Sequence, residues 1–285
     1  LQIAGDLLEP GNASSAAATG FLLCGPDMPD LNLPEERRHQ ILNGLTGAVG
    51  SVFLGITLEC AECHDHKNDP LSQADFFRLR AVFEDFTLPE KKKSLPLVFP
   101  AGERTVSRLF LRGDFRRPAQ ELAPAAPKIL ANAEFSPGVA PRLGLAASIT
   151  RPDHPLTARV IVNRVWQHHF GRGLVATASD FGKLGERPAH PELLDWLAAS
   201  FIEHGWSLKH LHRLLVTSRA YRLSSADHAA NLAADPDNRT YWRFPRQRLD
   251  AESLRDTLFL LGGTLDLSPQ DEPYPFPPTK DWKYT

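Results

Sequence analysis

Apolar residues recur at three- and four-residue spacing along most of the chain, and this periodicity predicts a mostly α-helical fold with little β. Leu1–Leu8 reads as the end of a helix. A second helix opens at Pro34, has Glu35 and Glu36 in its first turn, and carries Ile41, Leu42, Leu45 and Val49. A third is capped by Ser72 and spaces Phe76, Leu79, Phe83 and Phe86 helically before Pro89 ends it. In the second half, Ala158, Ile161, Val162, Val165 and His169 form one stripe that ends at Phe170-Gly171. Pro191 opens a helix with Leu194, Leu197, Ala198 and Phe201, closed by Gly205. Ser207 caps another bearing Leu208, Leu211, Leu215 and Ser218. Asp250 caps the last, with Leu254, Leu258 and Leu261 ahead of Gly262-Gly263. Four amphipathic helices joined by short turns predict a helical domain, with Trp166, Trp196 and Trp206 as core aromatics.

Between the two halves the texture changes. Prolines recur from Pro89 to Pro141, Lys91–Lys93 is a basic run read as a solvated loop, and Val106–Arg112 is the best short strand. Arg112-Gly113-Asp114 reads as a glycine turn after that strand rather than as an adhesion tripeptide. The expected organisation is a first helical part over residues 1–88, an irregular Pro-rich connection over 89–140, and a helical part over 141–285.

Composition narrows the function classes. The 285 residues are 42% hydrophobic and 23% charged, as in a soluble globular protein. A formal net charge of −2 argues against a nucleic-acid binder or a membrane-surface protein, and no apolar run is long enough to span a bilayer. Leu1 is not a start methionine and no signal-peptide pattern precedes it, so the chain is read as a piece of a longer protein. Three cysteines exclude a disulfide framework.

Two of those cysteines define the candidate chemistry. Cys60-Ala61-Glu62-Cys63-His64 has the C-x-x-C-H spacing of covalent haem attachment: two thiols bond the vinyl groups and the following imidazole ligates the iron. Cys24 is left over as a free thiol. For the sixth coordination position the candidates are Met28, which as a loop residue has a simpler reading, a histidine of the 158–170 helix, with His168 preferred over the core-facing His169, or an open position. Asp65, His66 and Asp69 crowd behind the motif with Lys67. They read either as a turn and its cap or as acid–base and ligand-orienting groups, with His66, Asp65 and Asp69 the catalytic candidates. The rival chemistry is zinc, held by Cys60, Cys63, His64 or His66, and Asp69 in a surface-binding module or a metal-dependent hydrolase. Against it, structural zinc usually draws a second ligand pair from a distant segment, and the only other thiol is Cys24.

The motifs also carry a resemblance. Phe53-Leu54-Gly55, Cys60 through Lys67, Asp69-Pro70 and Asp75-Phe76-Phe77 resemble the first of two paired domains of unknown function in planctomycete-type, cytochrome-c-associated surface proteins. His154-Pro155-Leu156-Thr157-Ala158-Arg159-Val160, Asn163-Arg164-Val165-Trp166, Phe170–Val175, Asp180-Phe181-Gly182, His190–Trp196, Gly205–Lys209 and Arg248–Glu252 resemble the second. The resemblance covers nearly the whole chain and implies a periplasmic or secreted bacterial protein that works with a separate cytochrome-c-like domain. It implies no particular reaction, and it places the C-terminus short of the family's usual end.

Arg159, Asn163 and Gln167 lie at successive i,i+4 positions, with Arg164 and His168 beside them. They read either as a solvated face or as a cleft in which Arg159, Asn163 and Arg164 bind haem propionates or an anionic, carbohydrate-like extracellular substrate. His190, read as a helix N-terminal residue, and Asp195 are weaker candidates. The expectation is a c-type haem-binding redox protein of the cell exterior, acting in electron transfer or in haem-dependent oxidation. Whether it is an enzyme stays open at this point.

Overall fold

The computed structural model describes residues 1–25, 33–88, 98–130 and 135–268. Two compact units result, Leu1–Pro245 and Arg246–Thr285, and the fold is mostly α, with ten α-helices and one two-stranded sheet among the described residues.

In the first unit, α1 (Gly5–Leu8) and α2 (Ala13–Ala18) replace the single helix end expected at the N-terminus, and Asn12 caps α2 through the amides of Ser14 and Ser15. Helix α3 (Pro34–Val49) starts with proline in its first turn, where the missing N–H costs nothing. Helix α4 (Gln73–Arg80) has a full capping box: Asp75 N donates to Ser72 Oγ at 3.1 Å, and Ser72 N donates to Asp75 Oδ2 at 2.9 Å. Helices α5 (Pro141–Ile149), α6 (Thr157–Phe170), α7 (Pro191–Glu203), α8 (Leu208–Val216) and the short α9 (Ala229–Ala234) follow. Gly171, with φ 78°, ends α6, and Ser207 Oγ caps α8.

Two apolar clusters organise this unit. The first gathers Leu42, Leu45 and Val49 of α3 with Phe76, Phe77 and Leu79 of α4, then Phe83, Phe86, Leu145 and Ile149. The second packs Val162, Trp166 and Phe170 of α6 against Leu194, Leu197 and Phe201 of α7 and Leu211 and Leu215 of α8. Trp196, expected in the core, is 55% exposed, because the buried stripe of α7 runs through Leu194, Leu197, Ala198 and Phe201 on the other side. Leu208, at the first position of α8, is exposed as well.

The described part of 89–140 is mostly irregular, as its prolines suggest, but it is not a free linker. Phe99 and Leu130 are buried in the first cluster, Arg104 donates to the carbonyls of Ala81 and Val82, and Lys128 N donates to Asp75 Oδ1. Strand β1 (Arg108–Phe110), within the Val106–Arg112 segment expected to be extended, pairs antiparallel with β2 (Pro118–Glu121), which was not anticipated, with Arg108 opposite Glu121. Lys91–Lys93 lie outside the described residues.

The halves meet at a glycine. Helix α3 runs into one π-helical turn, Gly50–Leu54, which ends at Gly55 with φ 59°. Phe181 N donates to Gly55 O at 2.7 Å, and a Cβ at Gly55 would stand 2.8 Å from the Phe181 and Val160 side chains. Arg142 of α5 is the other tie. Fully buried over the Phe99 ring, it forks onto both carboxylate oxygens of Asp6 at 2.7 Å and donates to Asp85 Oδ2 at 3.2 Å.

The second unit holds α10 (Ala251–Leu261), whose N-terminus is capped as expected, with Ser253 N donating to Asp250 Oδ1 at 2.6 Å.

Removing the Arg142 charge strands two partly buried carboxylates. Arg142→Met is therefore expected to lower unfolding stability by about 3 kcal/mol, although the side chain has a similar length. Urea denaturation of both proteins measures it, and a loss below about 1 kcal/mol would show that Asp6 and Asp85 do not depend on this guanidinium.

Candidate functional site

The cysteine motif occupies a 3-10 turn, Leu58–Glu62, with Cys63 as its C-cap. In a 3-10 helix residues i and i+3 eclipse. Leu58 and Ala61 therefore share the buried face, while Cys60 and Cys63 share the outer one, both free thiols and both exposed. Next to them His64, also exposed, donates Nδ1–H to Asp65 O at 2.7 Å. That bond assigns the tautomer and leaves the Nε2 lone pair available.

The groups behind the motif hold its backbone. Asp65 Oδ1 accepts from Gln73 N at 2.7 Å, and Gln73 Nε2 donates to Glu62 O and Phe110 O. His66 Nδ1 accepts from Asp69 N at 2.8 Å and Asn68 N at 3.3 Å, so its proton sits on Nε2, which donates to Thr57 Oγ1. Asp69 Oδ1 accepts from Lys183 N at 2.6 Å, and Oδ2 stands 3.6 Å from His66 Nδ1. His66 and Asp69 are thus brought together, while Asp65 is held separately by the Gln73 amide, and each of the three has at least one polar atom engaged by the backbone. His154 repeats the device before α6, its Nδ1 accepting from Leu156 N and Thr157 N. Among the described residues no three His, Cys, Asp or Glu side chains converge as a metal site, so the zinc set of Cys60, Cys63, His64 or His66, and Asp69 is not assembled.

Beneath Cys63 lies a buried polar group that motif spacing does not reveal. Asn43 Nδ2 donates to Glu62 Oε1 at 2.8 Å, and His39 Nε2 stands 2.8 Å from Asn43 Nδ2 and 3.1 Å from Gly113 O. Gly113, with φ 73°, allows its loop to lie against the thiol, since a Cβ there would be 3.0 Å from Cys63 Sγ. Burial, and then the Arg80 charge, hold His39 down to about 4. Burial raises the Glu62 carboxyl, and burial together with Glu62 raises the Cys63 thiol. Deeper still, burial works against ionisation of Glu84, but Arg80 at 2.6 Å and Arg38 at 2.8 Å outweigh it and hold that carboxyl below its ordinary range. The one sequence signal was the i,i+4 spacing of His39 and Asn43 on α3.

The α6 candidates are used inside the fold. Asn163 is fully buried and pairs both ways with the Val175 backbone, at 2.9 and 2.8 Å. Arg159 pairs on the surface with Asp195 at 2.6 Å, which unites two sequence candidates in an ion pair of small worth. Arg164 donates to Ser51 O and Ser179 Oγ, tying α6 to the end of α3. His168 is exposed, His169 meets His212 at 2.7 Å, and His190 Nε2 donates to Arg239 O. Arg159, Asn163 and Arg164 thus have separate local partners and do not converge on one cleft. Met28 lies outside the described residues.

Comparison with known families agrees with the motifs. Residues 141–285 match the family PSD1, described as a protein of unknown function (DUF1553), and residues 1–87 match PSCyt2, a protein of unknown function (DUF1549). The chain belongs to this paired family, with a PSCyt2 region followed by a PSD1 region. No curated protein and no solved structure matches it.

Two outcomes follow from the geometry. The folded-state value of His39 lies below the ordinary 6.5, so the unfolded chain takes up the proton first. The stability His39 contributes is full above pH 6.5 and is lost as the pH falls toward 4, by at most about 3 kcal/mol. Glu62 has the opposite sign, so the test is the difference between wild type and His39→Gln in urea melts from pH 7 to 4.5; parallel curves would refute the assignment. His66→Ala leaves two loop amides without an acceptor and is expected to cost about 1–3 kcal/mol.

Proposed function

We propose that this chain is a c-type haem-binding redox protein of the cell exterior. The observation that carries the reading is the outward presentation of two free thiols on one face of a 3-10 turn, beside an imidazole whose Nδ1–H is already committed to a carbonyl. Each thiol would add across a vinyl double bond, sulfur to one carbon and proton to the other, with no oxidant consumed. His64 would ligate iron through Nε2, its ring held by Asp65 O. Bound there, haem supplies one-electron exchange. The protein's part is to fix that turn through Gln73, Asp65 and His66, and to back Cys63 with Glu62, Asn43 and His39.

Covalent attachment takes place where exported haem meets reduced thiols, which favours a periplasmic or surface location. A separate cytochrome-c-like domain or protein is the natural electron partner. Because His66 and one carboxylate oxygen each of Asp65 and Asp69 are bound to backbone amides or Thr57, electron transfer is favoured over oxidation of a bound substrate.

Export of the chain in a host competent for cytochrome c maturation, followed by a pyridine haemochrome spectrum, is the test. The wild type is expected to give a haem c spectrum and the Cys60→Ala, Cys63→Ala double variant none. His64→Ala should keep covalent haem with an altered spin state. A colourless wild-type product from that host would overturn the reading.

A further inference from the structure

A cavity of about 240 Å³ lies beside the motif-bearing loop, where residues 69–71 meet the 129–130 segment, Pro155-Leu156 ahead of α6, and Phe181-Gly182. Ile56, Leu71, Ile129, Leu156 and Phe181 give it an apolar wall. Asp69 is the one charged side chain on that wall among the described residues. Only 9% of that side chain is exposed, and it forms no ion pair with a lysine or arginine among the described residues. The volume is that of about eight water molecules, which admits a small organic group and excludes a nucleotide.

One oxygen of this carboxylate is satisfied and the other is not. Oδ1 accepts from Lys183 N at 2.6 Å, whereas Oδ2 accepts from no donor among the described residues. Every neighbouring backbone donor is committed elsewhere. Asn68 N and Asp69 N both donate to His66 Nδ1. That ring atom, 3.6 Å from Oδ2, therefore presents a lone pair and no proton. Leu71 N donates to Asp69 O at 2.8 Å, Gly182 N donates to Asp180 Oδ1 at 2.8 Å, and Pro70 has no N–H. Gly182 keeps Oδ2 clear, because a Cβ at that position would overlap it.

A buried carboxylate oxygen without a donor is costly in an apolar wall. A neutral donor would supply the hydrogen bond and leave the charge uncompensated. A cationic N–H group supplies both, and the low local dielectric strengthens the attraction.

We propose that this cavity binds an organic ammonium group on a short apolar body. Asp69 Oδ2 takes the ammonium, and the wall from Leu71 to Phe181 takes the body. The proposal is independent of the haem reading. The ammonium belongs either to a free amine or to a lysine side chain of another protein.

Calorimetric titration of the full chain at fixed ionic strength tests it. Benzylamine, benzyl alcohol and benzoate are probes of similar shape and different charge, and Nα-acetyl-lysine methylamide is the carried ammonium. Saturable binding of benzylamine is expected, about tenfold or more tighter than that of benzyl alcohol or benzoate. Asp69→Asn keeps an oxygen for Lys183 N and should weaken benzylamine about tenfold or more. Ile129→Lys places a competing ammonium at a wall position that is 52% exposed, where the fold tolerates it, and should weaken benzylamine as well. Tighter binding of the lysine derivative than of benzylamine would identify a protein-borne ammonium, and the reverse order a free amine. Three results would each overturn the proposal: no saturable binding of either amine, benzyl alcohol binding as tightly as benzylamine, or unaltered benzylamine affinity in both variants. The last is also what amine ligation at a haem iron would give.

Discussion

From Gly55 to Ser72 the chain runs with almost no helical or strand ladder, and that constraint governs everything around the cysteine motif. Backbone amides and carbonyls in such a segment must find partners or lose the free energy of a missing hydrogen bond. Here side chains supply them. Gln73 reaches the Glu62 and Phe110 carbonyls, Asp65 takes the Gln73 amide, and His66 takes the amides of Asn68 and Asp69. The titratable residues crowded behind the motif are therefore first of all the substitute for regular secondary structure. That gives the motif a fixed shape while its thiols stay exposed.

The same logic joins the halves. The first apolar cluster already takes Leu145 and Ile149 from the second half, and polar atoms cross the seam as well. Phe181 N reaches Gly55 O, Lys183 N reaches Asp69, and Arg164 reaches Ser51 O. The PSD1 region is thus anchored on both sides of the motif-bearing loop, at the π-turn before it and at Asp69 after it. This gives the second region a structural part in holding the first.

Local signals in the sequence were legible where their physics is local. The caps at Ser72, Ser207 and Asp250 need only residues three positions on, and the helices they predict are present. The cysteine spacing likewise contains its own geometry, since three residues make one 3-10 turn. What stayed hidden depends on distant partners. The purpose of Asn163 is set by Val175, that of Arg164 by Ser51, and that of His39 by Gly113 and Glu62, and no periodicity encodes those pairings. Trp196 shows the limit of composition: a large aromatic suggests a core residue, but the stripe of α7 turns it to solvent.

The tight winding at Leu58–Glu62 has a mechanical consequence. Rewinding that turn as an α-helix would swing the second sulfur about 60° around the axis relative to the first. Leu58 and Ala61, anchored in the apolar interior, resist such rewinding. Any rigid group bonded to both sulfurs would act as a clasp across the turn, forbidding the looser winding and removing conformations open to the unfolded chain. Occupancy and local rigidity would then rise together, with the segment stiffest when the clasp is closed.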